Sequence, residues 1–259
     1  MLNKKIWFSV IEILVLLFIL FCVSSSYLSQ EAIGLHYNAD MLYLPIVFQD
    51  LFHNGGHYVD WSLAPIPYFF PDWIIFFIAF IFTKQVYFQL LVVACLNILL
   101  LYLSIRLIYQ ALFSSNKAAL FALMSISIFT FLSIKYIQPF EAVLLPNIHV
   151  GGFTVGLFYI WIQIKLLAKK QISQCSTWLF FAVLICFATG MSDLLYILQF
   201  TVPVFFGVLL FALKKKSKLS ASISIRFITT PVFSVRRVVD KVHRASIHFV
   251  ELLTRVSFH

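Results

Sequence analysis

The sequence predicts an all-α, polytopic membrane protein with about six transmembrane helices and one interfacial or re-entrant segment. Of its 259 residues, 62% are hydrophobic and only 11% are charged, whereas about a quarter of the residues in a soluble domain are charged. Several apolar runs reach about 18 residues, which is the length at which a helix crosses a bilayer. These runs are continuous rather than alternating, which argues against a β-barrel.

The apolar runs divide the chain into four regions. The predicted spans are 6–25, 88–111, 118–136, 152–170, 177–191 and 194–213. The regions are a first transmembrane helix at 1–25, an outer loop with interfacial helices at 26–87, a bundle of five spans at 88–213, and a basic, amphipathic cytoplasmic tail at 214–259. The first run is longer than the apolar core of a signal peptide, so we expect it to remain as an uncleaved span.

The distribution of Lys and Arg predicts the orientation of these spans, because positive charge is retained on the cytoplasmic side. With the N-terminus in the cytoplasm, two basic residues up to position 218 fall outside, Lys84 and Lys135, and eleven fall inside. The inner set is Lys4, Lys5, Arg106, Lys117, Lys165, Lys169, Lys170, Lys214, Lys215, Lys216 and Lys218. We therefore predict a multi-pass inner-membrane protein with both termini cytoplasmic, and we assign the net charge of +9 to orientation rather than to nucleic-acid binding.

The segment 66–83 is apolar but is predicted not to cross the membrane. A crossing there would invert every later loop and place the lysines at 169–170 and 214–216 outside. Prolines also break its first half. We expect an in-plane or re-entrant segment at the outer interface.

In this topology three polar stretches, 37–40, 140–149 and 192–193, face the outer compartment and can converge on one cavity. Asp40 precedes a short helix predicted from Pro45 to Phe52, which has Asn54-Gly55-Gly56 after its end. A carboxylate there is a candidate general base, and capping or solvating a loop is the alternative. Asp193 is placed to cap the last span. Three other acidic residues of the first outer loop are interpreted as loop charges: Asp50, Asp60 and Asp72.

Three basic groups are candidates for holding the phosphate of a lipid carrier. Lys84 and Lys135 lie at outer ends of spans, where unspecific contact with lipid head groups is the alternative. His149 contacts a pyrophosphate or satisfies a helix start. No set of His, Cys or acidic residues has diagnostic metal-binding spacing, so neither a metal nor another cofactor is predicted.

Two features lie inside predicted spans. Glu12 is costly in a membrane, and we favour a position near the inner end, close to Lys4 and Lys5, over burial in a polar seam. The spacing Gly152-x-x-x-Gly156 permits a close approach of helices, most simply within the chain's own bundle.

After Lys218 the composition changes. From Val235 the apolar residues recur at helical spacing among several Arg and Lys residues, which predicts a basic amphipathic helix on the inner membrane face. Packing of this tail on a membrane-protein partner is one alternative. A chain cut short or altered in frame near residue 216 is another.

The arrangement of residues 1–213 resembles the N-terminal half of GT-C type glycosyltransferases. The likeness is architectural: a first span entering from the cytoplasm, a long outer loop with an acidic residue soon after it, short interfacial helices and aromatic-proline segments. Those enzymes use polyprenyl-phosphate sugars and usually have more than six spans. Their catalytic base is an acidic residue of the first outer loop, so the resemblance implies that role for Asp40 in Asn38-Ala39-Asp40-Met41.

The resemblance implies transfer of a sugar from a lipid-phosphate donor on the outer face. Asp40 is then the base, and the residues expected to bind substrate are Lys84, Lys135, Glu141, His149, Asp193, Tyr58 and Trp61. The implied partners are membrane lipids and a polyprenyl-phosphate sugar. Two alternatives stay open, a non-catalytic assembly partner or truncated enzyme remnant, and a transporter. Few ionisable residues and no internal repeats in the spans argue against a transporter.

Overall fold

The computed structural model describes residues 2–29, 39–57, 60–61, 68–113, 115–135, 137, 140–145, 149–168, 176–207 and 209–210. Every regular element within these residues is a helix or helical turn, which confirms the predicted all-α class. The amphipathic helix predicted in the tail, and Tyr58, lie outside the described residues. Residues up to Phe206 belong to one compact unit.

The described helices follow one another with short connections. They are α1 (Leu2–Tyr27), α2 (Ala39–Gln49), α3 (Ile74–Phe82), α4 (Val86–Leu112), α5 (Ser115–Ile134), α6 (Val150–Ala168), α7 (Ser176–Ser192) and α8 (Leu194–Tyr196). Turns of π-helix span Asp50–Asn54, Phe69–Trp73 and Ile197–Thr201, and a 3-10 turn spans Phe140–Leu144.

Three of the described helical segments are long and apolar enough to cross a membrane. They are Ile6–Tyr27, Val86–Leu112 and Asn116–Ile134. Four more apolar segments are shorter: Phe69–Phe82, Val150–Leu166, Thr177–Ser192 and Ile197–Gly207. The all-helical class is therefore confirmed, three of the described helices are compatible with membrane insertion, and the number of six spans stays a prediction.

The two helices adjacent to α4 in the chain, α3 and α5, pack antiparallel to it. The turn at 83–85 folds α3 back on α4, where the side-chain amide of Gln89 donates to the carbonyl of Thr83 at 2.8 Å. On the other side, Tyr109 of α4 packs against Phe121 of α5, with ring centroids 5.7 Å apart. The buried core of this layer comes from α1, α4 and α5 and includes Val23, Leu90, Ala94, Ile98, Leu101, Ala122 and Ile126.

Glu12 is paired within the bundle. Its carboxylate accepts hydrogen bonds from the Tyr102 hydroxyl and from Arg106 Nε, and Arg106 Nη2 donates to its second oxygen at 3.2 Å. The Glu12 carboxylate therefore lies in a polar seam between α1 and α4. Its partner Arg106 belongs to the predicted inner set, and the side chains of Lys4 and Lys5 are outside the described part. Tyr102 and Arg106 are one turn apart on α4, so both reach the same carboxylate and offset its desolvation.

The helix predicted from Pro45 begins six residues earlier, and Pro45 lies inside it. Met41, Leu44 and Phe48 share a buried face, and the Phe48 ring packs 5.0 Å from the Phe76 ring of α3. The burial of this apolar face stabilises the helix by more than the missing backbone N–H of Pro45 destabilises it. Asp40 consequently lies in the first turn of α2 rather than ahead of it. The predicted glycine stop is confirmed, because Gly55 has φ +73°.

The glycines of α6 leave room for side chains from other parts of the same chain to pack closely on the helix. A Cβ at position 156 would come within 3.0 Å of the Phe200 ring, and a Cβ at position 152 would lie 2.8 Å from Asp193 Oδ2. Close packing within the chain, as expected from the spacing, is what these two positions provide.

We expect Gly156→Ala to destabilise the protein by about 1–3 kcal/mol, because the added methyl group overfills the contact with Phe200. A lower midpoint of thermal unfolding in detergent is the measurement. The matched background is Phe200→Ala, in which the same glycine substitution should cost almost nothing. Equal losses in both backgrounds would show that Phe200 is not the cause.

Candidate functional site

His149 and Asp193, which come from two separate polar stretches, are in direct contact. His149 Nδ1 lies 2.8 Å from Asp193 Oδ2, and the Asp193 side chain is only 5% exposed. The other carboxylate oxygen accepts the backbone N–H of Leu195 at 2.9 Å. Asp193 therefore caps the following helix, as predicted, and orients the imidazole. In a neutral imidazole this contact keeps the proton on Nδ1 and the lone pair on Nε2.

Two residues of the site have a left-handed backbone. His149 precedes α6 with φ +55°, and Tyr68 precedes the Phe69–Trp73 turn with φ +54°. Their rings meet edge to face, with centroids 5.6 Å apart. Residues other than glycine enter this region rarely and at a cost of about 1–3 kcal/mol. Such conformations persist where the surroundings impose them, and they are concentrated at functional sites.

Asp72 lies beside this pair and is 7% exposed. It accepts a hydrogen bond from the Gly151 backbone N–H, and a Cβ on Gly151 would come within 3.0 Å of its carboxylate. Since Asp193 lies over Gly152 in the same way, the glycine pair Gly151-Gly152 accommodates one carboxyl group at each residue. The unpaired N–H groups at this helix start favour negative charge there.

The surroundings change the proton affinity of two groups at this site. Burial, reinforced by Asp193, raises the pKa of Asp72 to about 7, although two backbone N–H groups and His149 oppose the shift. Burial also raises the pKa of Tyr68 to about 12, with further contributions from Asp193, Asp72 and Asp40. Asp72 therefore exchanges its proton near neutrality. Asp40 lies near enough to influence the Tyr68 phenol.

The segment 68–73, which we call the anchored turn, is tied to the end of α7. The Phe70 N–H donates to Ser192 Oγ at 2.8 Å, and the Tyr68 N–H donates to the Ser192 carbonyl at 3.4 Å. The Phe70–Pro71 peptide bond is cis. These contacts hold the anchored turn in place, so that its residues Tyr68 and Asp72 lie against the start of α6.

An apolar cavity of about 240 Å³ adjoins the polar groups. It lies between the anchored turn, α4, α6 and α7, and its wall includes Phe70, Pro71, Leu100, Leu103, Phe158 and Ile185. Thr154 also lines it, and the buried Oγ1 of Thr154 has no hydrogen-bond partner among the described residues. The site thus has a polar end at the glycine pair and an apolar end one to two helical turns away.

The other residues proposed from the sequence lie elsewhere or outside the described part. Lys84 is in the turn that follows α3, at the opposite end of that helix from Asp72, and Lys135 is exposed after α5. Trp61 donates its indole N–H to Asp50 at 2.8 Å, so Asp50 is a paired carboxylate rather than a loop charge. Glu141 belongs to the turn Phe140–Leu144, and its side chain is not among the described ones.

Sequence reasoning missed Asp72, which we interpreted as a loop charge, and did not propose Tyr68 for the site. The available signal was the glycine pair at the start of α6, because a missing Cβ leaves room for another group. The sequence does not say which group fills that room. Within the described residues, no set of three His, Cys, Asp or Glu side chains is arranged to hold a metal ion.

Comparisons with protein-family models, with curated proteins and with solved structures give no match to this chain. Function is therefore argued from the geometry of the site.

Proposed function

We propose that the protein is a multi-pass inner-membrane glycosyltransferase that uses a lipid-phosphate sugar donor on the outer face. The observation that supports it best is the His149–Asp193 pair, which lies beside Tyr68 and Asp72 and next to an apolar cavity. Hydroxyl groups of a sugar suit the carboxyl groups and the tyrosine ring, and a hydrocarbon chain suits the cavity.

The predicted topology supports the outer location. With six spans and a cytoplasmic N-terminus, α6 starts and α7 ends toward the outer side. The contact between Ser104 of α4 and Thr154 of α6 puts the glycine pair within the depth of the bundle, because Ser104 lies well along α4 from its outer end at Val86. The shorter helices α6 and α7 and the segment Ile197–Gly207 supply the fourth, fifth and sixth spans of this proposal.

The proposed reaction is a displacement at the anomeric carbon of the donor sugar. His149 Nε2 takes the proton of an acceptor hydroxyl as that oxygen bonds to the carbon. The bond between the carbon and the phosphate oxygen breaks, and the lipid phosphate leaves with the electron pair. Asp193 stabilises the imidazolium that forms, because its carboxylate accepts a hydrogen bond from the Nδ1–H group.

The proposal is tested with purified protein in lipid nanodiscs and a panel of polyprenyl-phosphate hexoses. The measured quantity is release of free polyprenyl phosphate, with a mixture of sugar and lipid acceptors present. We expect release from at least one donor and a loss of release in His149→Gln. A folded protein that neither binds nor cleaves any donor of the panel contradicts the proposal.

Asp40→Asn distinguishes the base implied by the resemblance from the base favoured by the geometry. Removal of a general base lowers the rate by about 10²–10⁴-fold. Asp40 is exposed, and it acts on the Tyr68 phenol electrostatically, so we expect its replacement to change the release rate by less than about tenfold. A loss of a hundredfold or more would assign the base to Asp40 instead of His149.

A further inference from the structure

The anchored turn forms one wall of the cavity and is also bound to the glycine pair. Phe70 and Pro71 face the cavity, while Tyr68, two residues before Phe70, and Asp72, directly after Pro71, contact the start of α6. Any movement of the turn away from α6 therefore changes the cavity. The contacts that oppose this movement are the hydrogen bonds from the Phe70 N–H to Ser192 Oγ and from the Tyr68 N–H to the Ser192 carbonyl, and the Asp72 contact with Gly151.

We propose that protonation of Asp72 controls the contact between the anchored turn and the glycine pair, which we call the seating of the turn. With the carboxyl group protonated, the turn is held on the glycine pair. Deprotonation loosens the turn and opens the adjoining cavity. The seating itself is independent of the proposed function, and only its meaning for a lipid substrate depends on it.

The groups that face Asp72 and its turn come from every neighbouring element. Asp193, between α7 and α8, disfavours a second negative charge, and His149, before α6, favours it. Tyr68 belongs to the turn itself, and Asp40 of α2 acts on Tyr68. The carboxyl group is also cut off from water, so its charged form loses hydration that two backbone N–H groups replace only in part. These groups together favour the neutral acid when the turn is seated.

The direction of the pH effect follows from linkage. Burial raises the pKa of Asp72 to about 7 in the seated turn, from an ordinary value of 3.8 that applies when the carboxyl group is exposed. The seated state therefore binds the proton more tightly than the loosened state. Its extra stability is complete below the ordinary pKa, is lost as the pH rises toward 7, and changes no further above that. Each pH unit in this interval lowers the equilibrium constant for the seated state by about tenfold.

Hydrogen–deuterium exchange of the full chain in nanodiscs, corrected for the intrinsic pH dependence of exchange, measures this seating directly. We expect the protection of peptides covering 68–73 and 149–154 to fall by about fiftyfold between pH 5 and pH 7 and to level off above pH 7. A peptide from the α4–α5 hairpin serves as the internal control and should show no such change.

Two variants separate the proton from simple packing. Asp72→Asn imitates the neutral acid, so protection should stay constant from pH 5 to pH 8. Ser192→Ala removes the acceptor for the Phe70 N–H and should lower protection equally at every pH, with the slope unchanged. A flat profile in the natural sequence, or a pH slope that persists in Asp72→Asn, overturns the proposal. The first of these decides the matter even if Asp72→Asn fails to fold.

This readout uses neither donor nor acceptor. A protein without transferase activity can still show the proton-linked seating, and an active transferase can lack it, so the two proposals fail separately.

Discussion

We expect Asp193→Asn to lower the rate of lipid-phosphate release by about 10²–10⁴-fold while the protein stays folded in the membrane. The asparagine oxygen can still accept the Leu195 N–H, so the helix cap is kept. Its amide nitrogen is a donor, however, and cannot accept a hydrogen bond from the Nδ1–H group of His149. The imidazole then moves its proton to Nε2, and the lone pair that acts as the base is lost.

The control for this substitution is Asp60→Asn, which removes an exposed carboxylate outside the site. It should leave the release rate within about twofold, since exposed charges of this kind contribute little. A second comparison is Asp193→Ala, which removes the cap as well and should cost about 1 kcal/mol in stability. If Asp193→Asn released lipid phosphate as fast as the natural sequence, His149 would not be the base.

Glu12→Gln is expected to destabilise the bundle by about 3 kcal/mol. The substitution keeps the size of the side chain but leaves the guanidinium of Arg106 without a counter-charge. Arg106 and Glu12 have side-chain exposures of 26% and 14%, so neither charge is freely hydrated. The measurement is the midpoint of thermal unfolding in detergent micelles.

Three comparisons test whether the loss comes from the unpaired charge. Tyr102→Phe removes one hydrogen bond to the same carboxylate and should cost about 1 kcal/mol. The double exchange Glu12→Arg with Arg106→Glu should recover most of the stability, because the pair is restored in the opposite sense. Replacing both residues with leucine should be close to neutral, as seen for buried ion pairs in general. A loss below about 0.5 kcal/mol in Glu12→Gln would mean that the pair is not needed to hold α1.

Local patterns in the chain were sufficient for its class and for several boundaries. In a membrane, the backbone N–H and C=O groups of a single long apolar segment must form hydrogen bonds within that segment. Only a helix allows this. The stop at Gly55, which follows the π-helical turn Asp50–Asn54 after α2, and the cap at Asp193 were likewise predictable, because both depend on residues adjacent in sequence. The start of α2 was not, since it depends on burial against α3.

Tertiary packing alone decided which polar residues came together. Asp72 looked like Asp50 and Asp60 in the sequence, yet it became the buried carboxyl group, because the anchored turn lies on two glycines some 80 positions later in the chain. Glu12 met Arg106 by the same kind of contact between distant segments. Hydrophobicity and charge act on each residue separately, and they were sufficient to predict which segments form helices. Pairing of charges depends on which helix surfaces meet, and that is a property of the assembled bundle.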